Sequence, residues 1–466
     1  MTIDVGTRRR LTLALLSSYL SRVASTLIQL IQVPFFLHFW AAPLYGEWMI
    51  LSSVPNYLSF SNTGFGNVAG NEMMMAEARG DRAGALRAFQ SCWWLILCTL
   101  GLVGSGLAGV LYFVPVAPLL NVHHISETDT RWIIFYLGAS VLFTQLETLL
   151  QSAYRSVGRY SYGSTINTMT TLAAFAASLI PVAMGRGPRA TALVFAASEM
   201  AGTLVLALLV RRHIPWIRFG WEHARVAEIR RQAAPAFAFM GFPLGQALNL
   251  QGTLQAVSYA LGPVAVVVFG TARTVSRVAL QMVQMINFSF EPEFARSYAQ
   301  RDIGLIRTLH RRACQMALIL AISIVAVMIA IGPYLLTHWT HGKVPPSRPL
   351  LSILLVVVIL FSLWSTSSAM LTATNQHKRL AAVFIGATGA TVVVTWFMAH
   401  RFGLYGAAAS LLLAELLMNL YVLPATLRIA HDTFSGFLQS LLDVPPALRP
   451  RALLKRLRRS GPVLEV

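Results

Sequence analysis

Charge is what this chain has least of. Only 12% of its 466 residues are Asp, Glu, Lys or Arg, against about 25% in soluble proteins. Too little polar surface is left to face water, which excludes a soluble enzyme and a disordered scaffold. Acidic residues are the scarcer kind, 18 against 37 Lys and Arg, for a net charge of +19. Cysteine is nearly missing: Cys92, Cys98 and Cys314 lie in or beside apolar blocks, with neither a disulfide framework nor metal-ligand spacing. No Walker phosphate loop, His-Glu-x-x-His or nucleophile with a recognisable local motif occurs, so enzymatic chemistry is not expected. What the chain does have is apolar sequence, 56% hydrophobic with a mean hydropathy of +0.61 and uncharged runs such as Ala317 to Leu336. The expectation is an all-α polytopic membrane protein.

A bilayer-crossing helix needs about 20 mostly apolar residues. The chain offers twelve such stretches, at 11–39, 45–68, 88–113, 131–154, 161–184, 188–211, 233–257, 263–290, 313–336, 348–373, 379–400 and 403–426. Arg8-Arg9-Arg10 imitates the start of a secretory signal, but the apolar run that follows outlasts a signal's core, so the first span is expected to stay. With the N-terminus in the cytoplasm, 28 of the 37 basic residues fall inside and 6 outside; the other 3, Arg22, Arg273 and Arg277, are within spans. The positive-inside rule therefore places both termini in the cytoplasm. The same asymmetry accounts for the +19 without nucleic acid, and it presents basic segments to anionic lipid.

The spans group into two six-helix bundles, 1–211 and 233–426, around a central cavity. Between them lies a linker, 212–232, whose Trp216, Phe219 and Trp221 beside arginines read as interfacial. Residues 427–466 form a basic amphipathic tail. There Phe434, Phe437, Leu438, Leu441 and Leu442 fall at i, i+3, i+4, i+7 and i+8, a helical apolar stripe, and Arg449 to Arg459 follow it. The tail is expected to lie on the cytoplasmic leaflet, with partner docking as the alternative. Gly187, Ala192 and Glu199 recur as Gly403, Ala408 and Glu415 at identical spacing. The bundles thus read as parallel repeats, the arrangement that works by alternating access around a midplane site.

A charge at the bilayer centre costs about 2.5–3.5 kcal/mol on insertion scales and faces a polar interior. Arg22 lies roughly 18 Å, and Arg277 roughly 20 Å, from the cytoplasmic ends of their spans at 1.5 Å per residue. Arg273 is one turn from Arg277 on the same face. One reading makes these arginines an anion site, because guanidinium forks match phosphate oxygens bidentately. The other pairs them with Glu147, Glu199 or Glu415 to lock the bundles. The glutamates carry a parallel choice, between holding a coupling proton and serving as structural partners. Span seven holds Pro235, Pro243, Gln246, Asn249, Gln251 and Gln255, and span two holds Pro55, Asn56, Asn62 and Asn67. Proline frees backbone carbonyls that need a polar neighbour, so both spans are expected to bend and face the cavity. Gln246 and Asn249 are candidate substrate ligands, with interhelical hydrogen bonding the alternative. His38, His338 and the His123-His124 pair are expected to be solvated or interfacial.

Arg22 and Pro34 in span one, a Leu44-Tyr45-Gly46-Glu47-Trp48 turn, Tyr57-Leu58, Thr63-Gly64-Phe65-Gly66 and the Glu77 to Asp81 loop form a recognisable set. It resembles the start of bacterial polysaccharide transporters. These are the lipid-linked oligosaccharide flippases, of O-antigen and exopolysaccharide type, in the multidrug/oligosaccharidyl-lipid/polysaccharide (MOP) exporter superfamily. In layout the resemblance covers about residues 10–430. It implies two bundles around a cationic cavity in the bacterial inner membrane, without cofactor or covalent chemistry. It also implies a polyprenyl-diphosphate-linked oligosaccharide as substrate, held by arginines of the first and eighth spans, here Arg22, Arg273 and Arg277. A polysaccharide polymerase and a chain-length regulator are the protein partners it suggests.

Three alternatives stand beside it. Gly80-Asp81-Arg82-Ala83-Gly84 partly matches the major facilitator loop, but Glu77 stands where Gly is needed and Ala85-Leu86 where a basic pair is needed. A drug exporter of the same superfamily is expected to favour carboxylates in its cavity. A membrane glycan polymerase is expected to carry a sizeable outer loop with catalytic residues. Here the longest runs only from Val114 to Thr130 and holds no acids but Glu127 and Asp129.

Overall fold

The computed structural model describes residues 5–61, 63–231, 240–373 and 377–443, and every element among them is helical. The first half comprises α1 (Val5–Phe39), α2 (Ala42–Ser53), α3 (Thr63–Ala78), α4 (Arg82–Phe113), the single turn α5 (Val116–Leu119), α6 (Glu127–Ser156), α7 (Tyr160–Ala183) and α8 (Pro188–His213). The second half comprises α9 (Gly241–Ala247), a π turn (Leu248–Gly252), α10 (Thr253–Leu261), α11 (Pro263–Ala299), α12 (Ile303–Trp339), α13 (Arg348–Ala373), α14 (His377–Ile429) and α15 (Phe434–Leu442).

Nine helices among the described residues are long and apolar enough to cross a membrane, against twelve expected stretches. The difference falls where the sequence holds helix breakers. Expected span two is interrupted at Pro55, which opens a 3-10 segment (Pro55–Ser61) between α2 and α3. Expected span seven is interrupted by the π turn. Expected spans eleven and twelve run on as α14, broken at Gly403, whose φ of 60° suits glycine alone. The Leu44 to Trp48 segment, expected as a turn, lies inside α2: Pro43 sits in that helix's first turn, where its missing N–H costs nothing. Pro235 and Asn62 lie outside the described residues.

The chain divides into two compact units: 1–278, 328–356 and 381–414 form one, and 279–327, 357–380 and 415–466 the other. Within the first unit α6 is central, packed by α3, α4, α7 and α8. Met73, Phe89, Leu149, Tyr154, Leu206 and Val210 share one core there. The linker docks on α4 through Gln90, whose Nε2 donates to the Arg218 carbonyl (3.0 Å) and whose Oε1 accepts from the His223 N–H (2.7 Å).

The same unit contains a seam between α1, α2 and pieces of the second half. Pro34 lacks an N–H, so the Leu30 carbonyl four residues earlier has no helical donor. Trp339 Nε1 donates to it at 2.6 Å. Lys343 Nζ donates to the His38 carbonyl (3.2 Å) and to that of Leu37, at the negative end of α1. Glu47 is fully buried and accepts from the N–H groups of His123 (2.7 Å), His124 (2.7 Å) and Ile125 (3.0 Å), and bonds His124 Nδ1 (2.8 Å). The His123 and His124 side chains are exposed, in keeping with the expectation of solvated or interfacial histidines, while their backbone is pinned to α2. Gly46 permits the seam's closest approach: a Cβ there would stand 2.1 Å from the Pro263 carbonyl oxygen. Gly46→Ala is expected to cost about 3 kcal/mol or more. Gly101→Ala on α4, where a Cβ meets nothing within 4 Å, should be neutral or slightly stabilising. Thermal melting of the two purified variants checks the contrast.

In the second unit the tail stripe forms α15 as expected, but its apolar residues divide between two faces. Phe437 is buried and stacks on His310 (5.1 Å between ring centres), while Phe434, Leu438 and Leu442 are exposed. Arg311 grips Asp432 with two hydrogen bonds, Nε to Oδ2 at 2.8 Å and Nη2 to Oδ1 at 2.5 Å. Gln315 Nε2 donates to the Ser440 carbonyl (2.9 Å). The Arg311 hydrogen bonds hold the Asp432 carboxyl below the usual carboxylate range. Its contribution to docking is therefore full at neutral pH and disappears only as pH falls through the lowered value. Asp432→Asn should release α15, raising amide exchange across 434–442 about tenfold while leaving α12 protected. Arg449 to Arg459 lie outside the described residues.

Candidate functional site

Helix α11 carries Arg273 and Arg277 one turn apart, yet the two guanidinium groups are in different situations. Arg273 is 8% exposed. Its Nη1 donates to Thr253 Oγ1 (2.6 Å) and, more weakly, to the Leu250 carbonyl (3.4 Å). Its Nη2 donates to the Asn249 carbonyl (2.8 Å) and to that residue's side-chain oxygen. These acceptors belong to the π turn and the first residue of α10. A π turn departs from the regular i→i+4 pattern of bonds, and Arg273 supplies donors to carbonyls at that irregularity. The Phe269 ring lies 5.7 Å below the guanidinium carbon. Arg277 is half-buried, and among the described residues its side chain has no hydrogen bond or ion pair.

Both arginines line a cavity of about 400 Å³ inside the first unit. Gln29, Gln32 and Phe36 enter its wall from α1, Tyr45 and Trp48 from α2, Ser140 from α6, and Thr171 and Phe175 from α7. Gln251 comes from the π turn and Thr274 from α11. Both halves of the chain therefore contribute. No Asp or Glu is among the lining residues. In a cavity this size with cationic groups and no carboxylate, the electrostatic preference is for an anion.

The other expected site residues are placed differently. Arg22 is half-buried on α1, two turns before Gln29, and is not in the cavity wall. Asn249 is engaged by Arg273, and Gln246 is exposed on α9, outside the wall. Gln29, Gln32 and Trp48 were not among the expected site residues. A signal for the glutamines was present in span one, where Arg22, Ser25, Gln29 and Gln32 recur at helical spacing.

The glutamates clasp helices. Glu147 of α6 accepts from Thr203 Oγ1 of α8 at 2.7 Å. Glu199, one turn before Thr203, is 5% exposed, and its carboxyl makes no ion pair with an arginine among the described residues. In the second unit Trp364 Nε1 donates to Glu415 Oε2 (2.5 Å), and Asn419 Nδ2 to the Leu360 carbonyl (2.9 Å). The sequence offset that carries Glu199 to Glu415 also carries Glu147 to Leu363, beside Trp364, and Thr203 to Asn419. The polar clasp between fourth and sixth spans thus recurs in each half.

No family model matches the sequence, and no curated protein matches it. Solved structures do match in fold. One is an inward-facing conformation of a multidrug resistance MATE family transporter of the MOP superfamily, with a TM-score of 0.71 at 14% identity over 92% of this chain and 98% of that one. An outward-facing conformation of such a transporter gives 0.60 at 14% identity over 97% of each chain. A MOP superfamily transporter from Pyrococcus furiosus, for which reverse polarity of the binding pocket is reported to suggest a different function, gives 0.61 at 13% identity over 93% and 96%. The chain has the MATE-like transporter fold.

Proposed function

We propose that this protein is an alternating-access flippase for lipid-diphosphate-linked oligosaccharide, moving it from the cytoplasmic to the outer leaflet of a bacterial inner membrane. The observation that carries the reading is Arg277, a guanidinium without a protein partner among the described residues, in a cavity wall where those residues place no carboxylate. A diphosphate brings two negative charges that hydrocarbon rejects. Bound to Arg277, they cross in a polar chamber while the isoprenoid tail stays in lipid. No covalent step and no cofactor are needed. Arg273 contributes positive potential from behind and holds span seven in shape. Anionic lipids meet the basic cytoplasmic segments, and a polysaccharide polymerase and chain-length regulator are the proposed partners.

A second reading, export of a small anionic molecule, is favoured by two observations. The solved relatives include multidrug transporters, and about 400 Å³ falls in the range of small-ligand sites, roughly 300–1,000 Å³. For a glycolipid, that volume holds the diphosphate and its nearest sugars, and a longer glycan must extend beyond it. Reconstituted proteoliposomes decide between them. The flippase reading expects a fluorescent polyprenyl-diphosphate oligosaccharide to become accessible in the far leaflet. Transport of small organic anions with no movement of the glycolipid would establish the second reading instead.

A further inference from the structure

An anion needs only donors around it, and the cavity wall offers more. Gln29 and Gln32 lie one turn apart on α1, and Gln251 sits on the π turn. Each amide carries an acceptor as well as donors. Gln29 Nε2 donates to Ser25 Oγ (3.3 Å), but Gln29 Oε1 is buried without a partner among the described residues. Trp48 Nε1, on a residue 5% exposed, is likewise buried without one. Gln32 and Gln251 make no side-chain hydrogen bond among the described residues. A buried polar atom with no partner has lost its bond to water with no return, so a side-chain movement that brings such an atom to a ligand in the cavity is favoured. Beside them in the wall stand the rings of Phe36 and Trp48, which stack on each other with centres 5.8 Å apart and planes at 23° and leave only their margins open.

We propose that Trp48, Gln29, Gln32 and Gln251 form a subsite for a pyranose ring, the sugar adjoining the phosphate at Arg277. A sugar presents an apolar C–H face, which suits the aromatic wall, and an edge of hydroxyls that both donate and accept, which suits the amides and the indole N–H. Gln29 Oε1 and Trp48 Nε1 are covered by protein here, so recognition includes a rotation of the Gln29 side chain and a small tilt of the indole. The inference rests on the lipid-linked glycan reading and adds which part of the substrate the aromatic and amide wall selects.

The test uses the full chain in nanodiscs and two probes, undecaprenyl diphosphate and undecaprenyl diphosphate carrying one N-acetylglucosamine. Wild type should bind the sugar-bearing lipid more tightly. Trp48→Phe, which keeps an aromatic ring and removes the N–H, and Gln29→Met, which keeps the length and removes the amide, should each lose about tenfold of that preference. Binding of the bare lipid should not change. Gln29→Met should melt near wild type, since the loss of a buried unpaired atom offsets the loss of the long Ser25 hydrogen bond; Trp48→Phe also gives up buried ring volume and should melt somewhat lower, so its effect is read as the change in preference between the two lipids. Equal affinity of wild type for the two lipids, or an unchanged preference in both variants, overturns the subsite and leaves the diphosphate reading standing. If neither lipid binds, the diphosphate reading fails, and methyl N-acetylglucosaminide decides the subsite alone. Binding of that glycoside, weakened by Trp48→Phe, supports it; no binding overturns it.

Discussion

Arg277→Ala is expected to reach the membrane at wild-type level and to lose binding and transport of the diphosphate lipid by about 10- to 100-fold. That range corresponds to a charge-assisted hydrogen bond of about 1.5–3 kcal/mol. Because Arg277 has no protein partner among the described residues, its removal breaks no internal bond. It also relieves a partly buried unpaired charge, so the melting temperature should stay the same or rise. Arg277→Lys should recover only part of the binding, since an ammonium is a point charge and loses the fork that holds two phosphate oxygens. Lipid binding to purified protein, measured beside its melting curve, separates this outcome from a folding defect. Wild-type binding in Arg277→Ala would remove the guanidinium from the site.

Arg273→Ala should behave in the opposite way. It takes one donor each from the Asn249 and Leu250 carbonyls and from Thr253 Oγ1, and leaves the Thr253 hydroxyl as the side-chain donor to those carbonyls. Loss of a partner for buried acceptors costs about 1–3 kcal/mol each, softened where water enters from the cavity, so roughly 2–4 kcal/mol in total. Arg273→Lys should restore less than half, because one ammonium cannot span acceptors from Asn249 to Thr253. Melting of the solubilised variants reads this directly. A wild-type melting temperature in Arg273→Ala would mean the π turn needs no anchor.

The contrast between these two arginines shows where sequence reading stops. Their depth and shared face follow from helical arithmetic. Which one is occupied does not, because that depends on the π turn at Leu248–Gly252, and hydrophobic periodicity carries no signal for one extra residue in a turn. The break in span two was more legible, since Pro55 stands there in the sequence. Gly46-Glu47 was visible as a motif, but its work was not. A buried carboxylate gathering three backbone N–H groups from a loop some 76 residues away leaves no local pattern. The glutamine stripe on α1 was readable at its helical spacing.

Water-borne access to the cavity and its protection by ligand can be measured at Thr274, which lines the wall one turn from Arg277. In Thr274→Cys, with the exposed Cys98 replaced by serine, a membrane-impermeant thiol reagent should react, and undecaprenyl diphosphate should slow the reaction. Adding Arg277→Ala should abolish that protection while leaving the reaction itself intact. A thiol at 274 that never reacts, or protection that survives the loss of Arg277, would contradict a wet chamber whose free guanidinium holds the phosphate.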